Sequence, residues 1–269
     1  MSPSRREFLH GTAATAVAAL AGCSGPRAES TRTIPVDGIS AVTVANEVGP
    51  VRVRGADRHT VRADLVKTAD APTVDLSNLA VDLDRRAGTL ALTTSWTGTD
   101  PLFGGRPSLA ITLAVPETMA VPRVETRVGD ITVTDVTGDP TVRTDTGDIS
   151  VERVPGTVTA TSHVGDVHVR SCDQVAHAST ATGTVKADVP ALTGAARIAA
   201  ETGDVEAAVA PTVAADLTAR TTTGEVTVGA LPLAADARTD TLVTGAVNGG
   251  GPALTIETVT GDVLVTALD

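Results

Sequence analysis

The segment Thr146-Gly147-Asp148-Ile149-Ser150-Val151 contains the unit that decides the fold, because variants of it recur along the second half of the chain. The recurring glycines are Gly129, Gly147, Gly165, Gly183, Gly203, Gly224, Gly245 and Gly261, which are 16 to 21 residues apart. The second residue after each of the eight glycines is Ile or Val, and the residue directly before each is Thr or Val. A fixed period of about 20 residues is typical of solenoid architectures.

The unit itself predicts two short β-strands joined by a two-residue corner. Apolar residues alternate with polar ones, at odd offsets before the glycine and at even offsets after it, as in a strand with one buried face. Glycine suits a corner that needs positive φ, and the aspartate that often follows it also tolerates bends. Gly49 and Gly88, further upstream, are followed by the same spacing of apolar residues, which brings the expected number of coils to about ten.

Two architectures fit such a corner. One is an antiparallel β-sandwich built from hairpins. The other is a single-stranded, right-handed parallel β-solenoid, in which equivalent residues stack on each other from coil to coil. The return of the same residue type at the same offset favours the solenoid. Because the given sequence ends directly after the repeat at Gly261, no C-terminal cap is apparent, and we expect the last coil either to cover itself or to meet a partner at that end of the column.

The N-terminal segment has the features of an export signal rather than of a folded element. Arg5 and Arg6 form a twin-arginine pair, an uncharged apolar run follows, and Leu20-Ala21-Gly22-Cys23 is similar to a lipobox. We therefore expect residues 1–22 to be removed and Cys23 to carry a diacylglyceryl anchor; an ordinary signal peptide is the alternative. Residues 23–35 are interpreted as a flexible tether, and 36–269 as the β-domain, irregular over 36–122 and regular over 123–269.

The composition bears on the possible partners and on the stabilisation of the fold. The net charge of −11 disfavours nucleic acid as a partner, because there is no basic stripe to neutralise phosphates. After removal of the signal, Cys172 has no second cysteine inside the fold, so no internal disulfide is expected. The same mature part retains only Trp96 and Phe103 as aromatic residues. Its Asp-rich, Lys-poor usage resembles that of proteins from salt-loving archaea.

A twin-arginine lipoprotein signal followed by Thr-Gly-Asp-Val/Ile-x-Val repeats, as at residues 146–151 and 260–265, resembles the putative-adhesin family of β-strand-repeat proteins of unknown function. The resemblance covers about residues 36–269. It implies a single-stranded right-handed β-solenoid and transfers no active site, because the shared motif is structural. Thr184 and Ala246 stand where the motif has Asp.

Three groups of residues are candidate sites. The corner aspartates could bind Ca²⁺, but one carboxylate per coil offers too few oxygen ligands, so a structural role in the turn is preferred. His163, His168, Cys172 and His177 are weak candidates for a metal site, with solvated histidines near a half-buried thiol as the alternative. Trp96 and Phe103 lie in a Gly/Pro-rich interruption that could contact a partner or could cover the end of the solenoid.

No catalytic motif is apparent, and no cofactor is expected. The sequence therefore predicts a non-enzymatic, lipid-anchored protein on the outer face of the cytoplasmic membrane, with a role in adhesion or envelope scaffolding. The alternatives are a sensory module that binds an envelope ligand or protein and, more weakly, a polysaccharide-active enzyme. The expected partners are the membrane, through Cys23, and an envelope protein or polysaccharide.

Overall fold

The computed structural model describes residues 25–99, 105–229 and 231–268. This part of the chain is built from strands and a single 3₁₀ turn (Leu76–Asn78), and it holds no helix that could cross a bilayer. The strands are β1 (Arg27–Pro35), β2 (Ala41–Val48), β3 (Val51–Ala56), β4 (Thr60–Thr68), β5 (Leu79–Arg86), β6 (Thr89–Trp96), β7 (Ser108–Pro116), β8 (Ala120–Val128), β9 (Ile131–Thr134), β10 (Thr141–Thr146), β11 (Ile149–Glu152), β12 (Thr157–Val164), β13 (Val167–Arg170), β14 (Gln174–Thr182), β15 (Val185–Val189), β16 (Ala196–Thr202), β17 (Val205–Val209), β18 (Ala215–Thr223), β19 (Val226–Val228), β20 (Leu233–Arg238), β21 (Leu242–Val247), β22 (Ala253–Thr260) and β23 (Val263–Ala267).

The strands form two large sheets that enclose one hydrophobic core. Sheet A has the order β1-β4-β7-β3-β9-β11-β13-β15-β17-β23-β19, and sheet B has the order β20-β21-β18-β22-β16-β14-β12-β10-β8-β2-β6-β5. Neighbouring strands in the middle of both sheets are parallel and pair like with like, as in Ile149 with Ile131 and with Val167. The predicted all-β solenoid is confirmed: each coil contributes one strand to sheet B, turns a corner, and contributes the next strand to sheet A.

Glycine is required at these corners for two reasons. Eight corner glycines, at 49, 129, 147, 165, 183, 203, 224 and 261, have φ between 123° and 142°. This region is essentially restricted to glycine. The corners also stack closely: a Cβ on Gly165 would lie 2.1 Å from the carbonyl oxygen of Gly147. The periodic glycines of the sequence are therefore the points where successive coils touch backbone to backbone.

Two of the glycines that were predicted to be corners, Gly88 and Gly245, lie elsewhere in the fold. Gly88 lies in the tight turn of the antiparallel β5–β6 hairpin, beside Ala87, and both residues have positive φ. Gly245 lies inside β21, which pairs antiparallel with β18 on one side and with β20 on the other. The prediction was wrong at these positions because alternating apolar residues around a glycine also occur in hairpins. Eight glycine corners, instead of about ten, stack in the column.

The coils do not stack in chain order. The coil formed by β22 and β23 lies between the β16–β17 coil and the β18–β19 coil, so that Gly261 sits between Gly203 and Gly224. The hairpin β20–β21 extends sheet B beyond β18. The expectation of an uncapped C-terminal repeat at the end of the column was thus wrong, because the last repeat is inserted one layer inside.

At the opposite end of the column, both sheets are extended by strands that pair antiparallel with one another. Sheet A continues past β3 through β7 and β4 to β1, and sheet B continues past β2 through β6 to β5. Residues 27–35 form β1 and pair with all of β4, from Arg27 with Thr68 to Pro35 with Thr60. The interpretation of residues 23–35 as a flexible tether was therefore wrong over β1, whose polar sequence serves as a charged edge strand, a common protection against unwanted strand pairing.

The core is a column of small aliphatic side chains, as the shortage of aromatic residues requires. Val142, Val151, Val158 and Val169 are completely buried. The residue directly before each corner glycine was predicted to point inward, and this was wrong: Val128 and Val164 are 41% and 42% exposed. The chain turns outward at that point, and the last inward residue on the sheet B side lies three positions before the glycine.

At this third position a buried hydroxyl ladder runs along the column. Ser162 Oγ donates to the carbonyl oxygen of Gly147 at 2.9 Å, and Thr180 Oγ1 donates to that of Gly165 at 2.8 Å. Equivalent bonds come from Thr126, Thr144, Thr221 and Thr258. Ala200 occupies this position in β16 and can donate no such bond. Each hydroxyl thus gives a hydrogen bond to the carbonyl oxygen of a corner glycine in a neighbouring coil, as a buried carbonyl group requires.

The aspartates after the corner glycines form a second ladder on the outside. Asp130 Oδ1 accepts the backbone N–H of Asp148 at 3.0 Å, and Asp148 Oδ1 accepts that of Asp166 at 2.8 Å. The receiving residue contributes only its amide, which explains why Thr184 can stand at this position and still bond to Asp166 at 2.7 Å. Each carboxylate is thus engaged with the next coil, as expected of a structural turn residue.

Candidate binding surface on sheet B

A groove crosses the outer face of sheet B where strands β12, β14, β16, β22 and β18 lie side by side. Its volume is ≈ 690 Å³. Four strand spacings of about 4.8 Å give the groove a length of about 19 Å. Its lining is rich in hydroxyl groups and includes Thr161, His163, Ser179, Thr222 and Thr260. A groove of this length suits an extended ligand better than a compact one.

The groove exists because small side chains lie between long ones. Outward positions alternate along each strand, and Ala181 on β14 and Ala199 on β16 occupy them at the floor of the groove. Arg197 and Arg220 extend from β16 and β18 at one side, with side chains 54% and 60% exposed. Replacement of the floor alanines by larger residues would fill the groove without disturbing the core behind the sheet.

A cluster of charged side chains in the groove is centred on Glu257 of β22. One carboxylate oxygen accepts a hydrogen bond from Nε of Arg197 at 2.6 Å, and the other accepts one from Nε of Arg220 at 2.6 Å. Each arginine adds a second contact through its terminal nitrogen. Glu257 points outward from the sheet but is only 8% exposed, because the two arginine side chains cover it.

The charge on this cluster is stable at neutral pH. Burial of Glu257 by itself would raise the pKa of its carboxyl, but the hydrogen bonds and positive charges of Arg220 and Arg197 outweigh burial and hold that pKa below the usual range. The carboxylate therefore remains ionised and holds both guanidinium groups in place at the surface of the groove.

The sequence-predicted His/Cys group is not brought together. His163 and His177 lie on the outer face of sheet B, His168 lies on the outer face of sheet A, and Cys172 is buried. No set of three or more His, Cys, Asp or Glu side chains within the described ranges is placed to hold a metal ion. His163 and His168 both point outward, in agreement with the alternative of solvated histidines, whereas the thiol expected to be half-buried is fully buried.

Cys172 has a packing role. It follows Val136 and Val154 at intervals of 18 residues and, like them, lies in the core where the chain leaves sheet A. Burial raises the pKa of its thiol, which lowers the fraction of reactive thiolate. It is therefore one member of an aliphatic ladder.

His177 makes the one contact of the group with a chemical implication, a 2.9 Å hydrogen bond between its Nε2 and Oγ of Ser179. Burial lowers the pKa of His177, and the positive charge of Arg197 adds to this effect, so the imidazole is neutral at pH 7. A serine–histidine catalytic pair also needs a group that orients the histidine and donors for an oxyanion. Among the described residues no carboxylate bonds to His177, and the neighbouring strand amides are engaged in the sheet.

Trp96 ends β6, next to the edge strand β5 of sheet B. Its ring is partly buried against the hydrophobic core, and Gly98 lies against its six-membered ring. The indole Nε1 is buried without a hydrogen-bond partner among the described residues. Phe103, with which Trp96 was grouped as a partner contact or a cap, lies outside the described residues, as do Arg5, Arg6 and the predicted lipidation site Cys23.

The arginine–glutamate cluster could not be found by reading the repeats in order. Arg197, Arg220 and Glu257 belong to three repeats, and Glu257 comes between the other two in space but after them in the chain. Part of the cluster leaves a signal in the sequence, because Arg220 and Glu257 both stand four residues before a corner glycine, whereas Arg197 stands six residues before Gly203. Only the inserted position of the last coil turns that shared offset into a contact.

Residues 111–266, more than half of the chain, match the family model described as Toastrack DUF4097. The chain therefore belongs to the Toastrack DUF4097 family. This assignment agrees with the resemblance drawn from the repeats, and the matched range covers the stacked coils from β7 to β23.

Several solved structures are similar over most of their length. One is described as a "putative adhesin" from Bacteroides fragilis NCTC 9343, with 14% identity, a TM-score of 0.45, and coverage of 89% of this chain and 97% of that one. Another is a "putative cell adhesion protein" from Clostridium sporogenes ATCC 15579, with 10% identity, a TM-score of 0.38, and coverage of 90% and 100%. A third, a "putative lipid binding protein" from Parabacteroides distasonis ATCC 8503, has 10% identity, a TM-score of 0.34, and coverage of 90% and 97%. Likenesses at this level carry no functional argument on their own. No curated protein matches the chain.

Proposed function

We propose that this chain is a non-enzymatic, lipid-anchored protein of the cell surface, and that it uses the outer face of sheet B for adhesion or envelope scaffolding. The observation that carries the proposal is the groove, a long, open surface lined by hydroxyl groups and by two guanidinium groups held by Glu257. An extended hydroxyl-rich polymer, such as an envelope polysaccharide, offers matching donors and acceptors along its length.

The strand that follows the proposed anchor in sequence, β1, and the groove lie toward opposite ends of the column. Cys23 precedes the first residue of β1 by four positions, and β1 is the edge strand of sheet A. The groove is centred on β16, whose coil continues into β17, eight strands away from β1 in sheet A. At about 4.8 Å per strand, this separation is about 38 Å. A lipid on Cys23 would thus hold the β1 edge of sheet A near the membrane and leave the groove about 38 Å further along the column.

The anchor is tested by cell fractionation. A Cys23→Ser variant should move from the membrane fraction to the soluble extracytoplasmic fraction, because one residue carries both acyl chains that hold the protein. An Arg5→Lys, Arg6→Lys double variant should instead stay unprocessed in the cytoplasm. If Cys23→Ser remains in the membrane fraction to the same extent as the wild type, anchoring by lipid is wrong.

The groove is tested by binding of the purified mature protein to isolated envelope polysaccharide. Ala181→Tyr places a large side chain on the groove floor and should weaken binding at least about tenfold, equivalent to about 1.4 kcal/mol. The matched control is Thr132→Tyr, an equally large addition at an outward position of β9 on sheet A. Equal binding by the two variants would show that the groove is not the contact surface. If the wild type binds only a discrete envelope protein, the role is that of a partner-binding sensory module of the envelope.

A further inference from the structure

The coil formed by β22, Gly261 and β23 occupies a slot between two coils that precede it in the chain. β22 pairs in parallel with β16 on one side and with β18 on the other, and β23 does the same with β17 and β19. The walls of the slot, from 196 to 228, are joined through residues 210–214 and do not depend on the C-terminal coil for their connection. The slot is thus a binding site for one strand–corner–strand unit.

The corner ladders continue through this unit on both sides. Thr258 Oγ1 donates to the carbonyl oxygen of Gly203 at 2.8 Å, and Thr221 Oγ1 donates to that of Gly261 at 2.9 Å. Asp262 donates its N–H to Asp204 Oδ1 at 2.8 Å and accepts the N–H of Glu225 at 2.9 Å. The inserted coil therefore has the register of any other coil, although its chain neighbours lie elsewhere.

Apolar burial shows that coil and slot are incomplete without each other. Leu254, Ile256, Val263 and Val265 of the inserted coil are at most 1% exposed. Removal of this coil would open two layers of core at once, above and below it. A free coil and an empty slot would each expose apolar surface and would favour recombination.

Glu257 makes the slot selective. One guanidinium comes from each wall, Arg197 from β16 and Arg220 from β18, and the two meet on the single carboxylate that the inserted coil contributes. A slot that holds two arginines at this place discriminates for a coil with an acidic residue at the matching position and against one with a basic residue, since like charges at a covered site are unfavourable. This chain's own C-terminal coil meets the requirement.

A glycine-rich hinge joins the coil to the rest of the protein. β21 ends at Val247 and β22 begins at Ala253, and the connection includes Gly249, Gly250 and Gly251. Gly249 and Gly250 have φ of 86° and 88°, in a region that glycine enters and leaves readily. The coil can therefore be redirected at this hinge while β18, β20 and β21 stay paired.

We propose that the slot is an interaction site for the C-terminal coil of a second copy of this chain, so that two copies can exchange residues 253–267 reciprocally. Exchange retains every contact described above and changes only the hinge, which is the condition under which swapping costs least. The result is a closed dimer in which each slot is filled by its partner's coil. The proposal is independent of the surface role proposed above.

Two full-length charge variants test the exchange. Glu257→Arg puts three positive groups at the cluster, and Arg197→Glu, Arg220→Glu puts three negative groups there, so each variant opposes its own coil. Reciprocal exchange between them restores an Arg–Glu–Arg cluster in one body and a Glu–Arg–Glu cluster in the other. After joint refolding we expect a one-to-one heterodimer of twice the monomer mass, with a thermal midpoint at least about 5 °C above that of either variant alone.

The matched control uses an ion pair remote from the slot. Lys186 on β15 and Glu206 on β17 are paired at 2.8 Å, and Lys186→Glu refolded with Glu206→Lys should give no more heterodimer than two differently tagged wild-type chains refolded in the same way. A second arm uses wild-type chains with two different tags: joint refolding at high concentration should let one tag capture the other, and mixing after separate refolding should not. If the slot variants refold jointly without forming a heterodimer, or if jointly refolded wild-type chains are purely monomeric, the proposal is overturned.

Discussion

Substitution of Gly165 by alanine tests the close stacking of corners on which the column depends. Gly165 has φ of 137°, and a side chain in this region costs about 1–3 kcal/mol. The new Cβ would also lie 2.1 Å from the carbonyl oxygen of Gly147. Relief of that overlap requires the two coils to separate at the corner. Separation weakens the bond from Ser162 Oγ to Gly147 O and the bond from Gly147 N to Val164 O, now 2.9 and 2.8 Å long, each of which contributes about 0.5–1.5 kcal/mol.

The expected loss of unfolding free energy is therefore about 4 kcal/mol, measured by urea denaturation with the fluorescence of the single Trp as the probe. Two other glycines separate the contributions. Gly38 has positive φ but open space around it, so Gly38→Ala should cost about 1 kcal/mol from the backbone alone. Gly194 has neither constraint, and Gly194→Ala should change stability by no more than about 0.5 kcal/mol. If Gly165→Ala falls within about 1 kcal/mol of Gly194→Ala, the corners do not stack as described.

Three further predictions concern single layers of the column. Ala200→Ser should stabilise the protein by about 0.5–1 kcal/mol, because it supplies the missing donor to the carbonyl of Gly183. Thr144→Val removes such a donor and should destabilise the protein by about 1 kcal/mol. Urea unfolding should therefore give changes of opposite sign, and a gain of stability in both variants would contradict the hydroxyl ladder. Glu257→Gln should cost about 1–3 kcal/mol at neutral pH. Because the folded-state pKa of Glu257 is lowered, this difference should be complete above the unfolded-chain pKa of about 4.3 and should shrink as the pH falls through the folded value; a difference that does not change with pH would refute the charge argument. Cys172→Val should change stability by less than about 1.5 kcal/mol, and the native thiol should react with a thiol reagent only after unfolding; rapid labelling of the folded protein would exclude the buried ladder position.

The central coils could be predicted from residue periodicity because each coil has the same local conformational requirements. A corner at Gly147 needs positive φ, its arms need β-branched residues on one face, and coils of equal length then stack in register. These requirements are local, so they leave a trace at fixed offsets in the sequence. The acidic corner ladder and the outward histidines His163 and His168 follow from the same offsets.

The sequence alone thus determined the unit of structure, its corner chemistry and the thin aliphatic core. Tertiary structure decided how the units are ordered, because parallel pairing accepts any coil of matching register and does not require chain neighbours. Gly88 and Gly245 satisfy the local pattern, yet hairpin pairing places them outside the corners. In the same way, only the insertion of the last coil between β16–β17 and β18–β19 brings Glu257 between Arg197 and Arg220, so the cluster is a property of long-range packing that no single repeat contains.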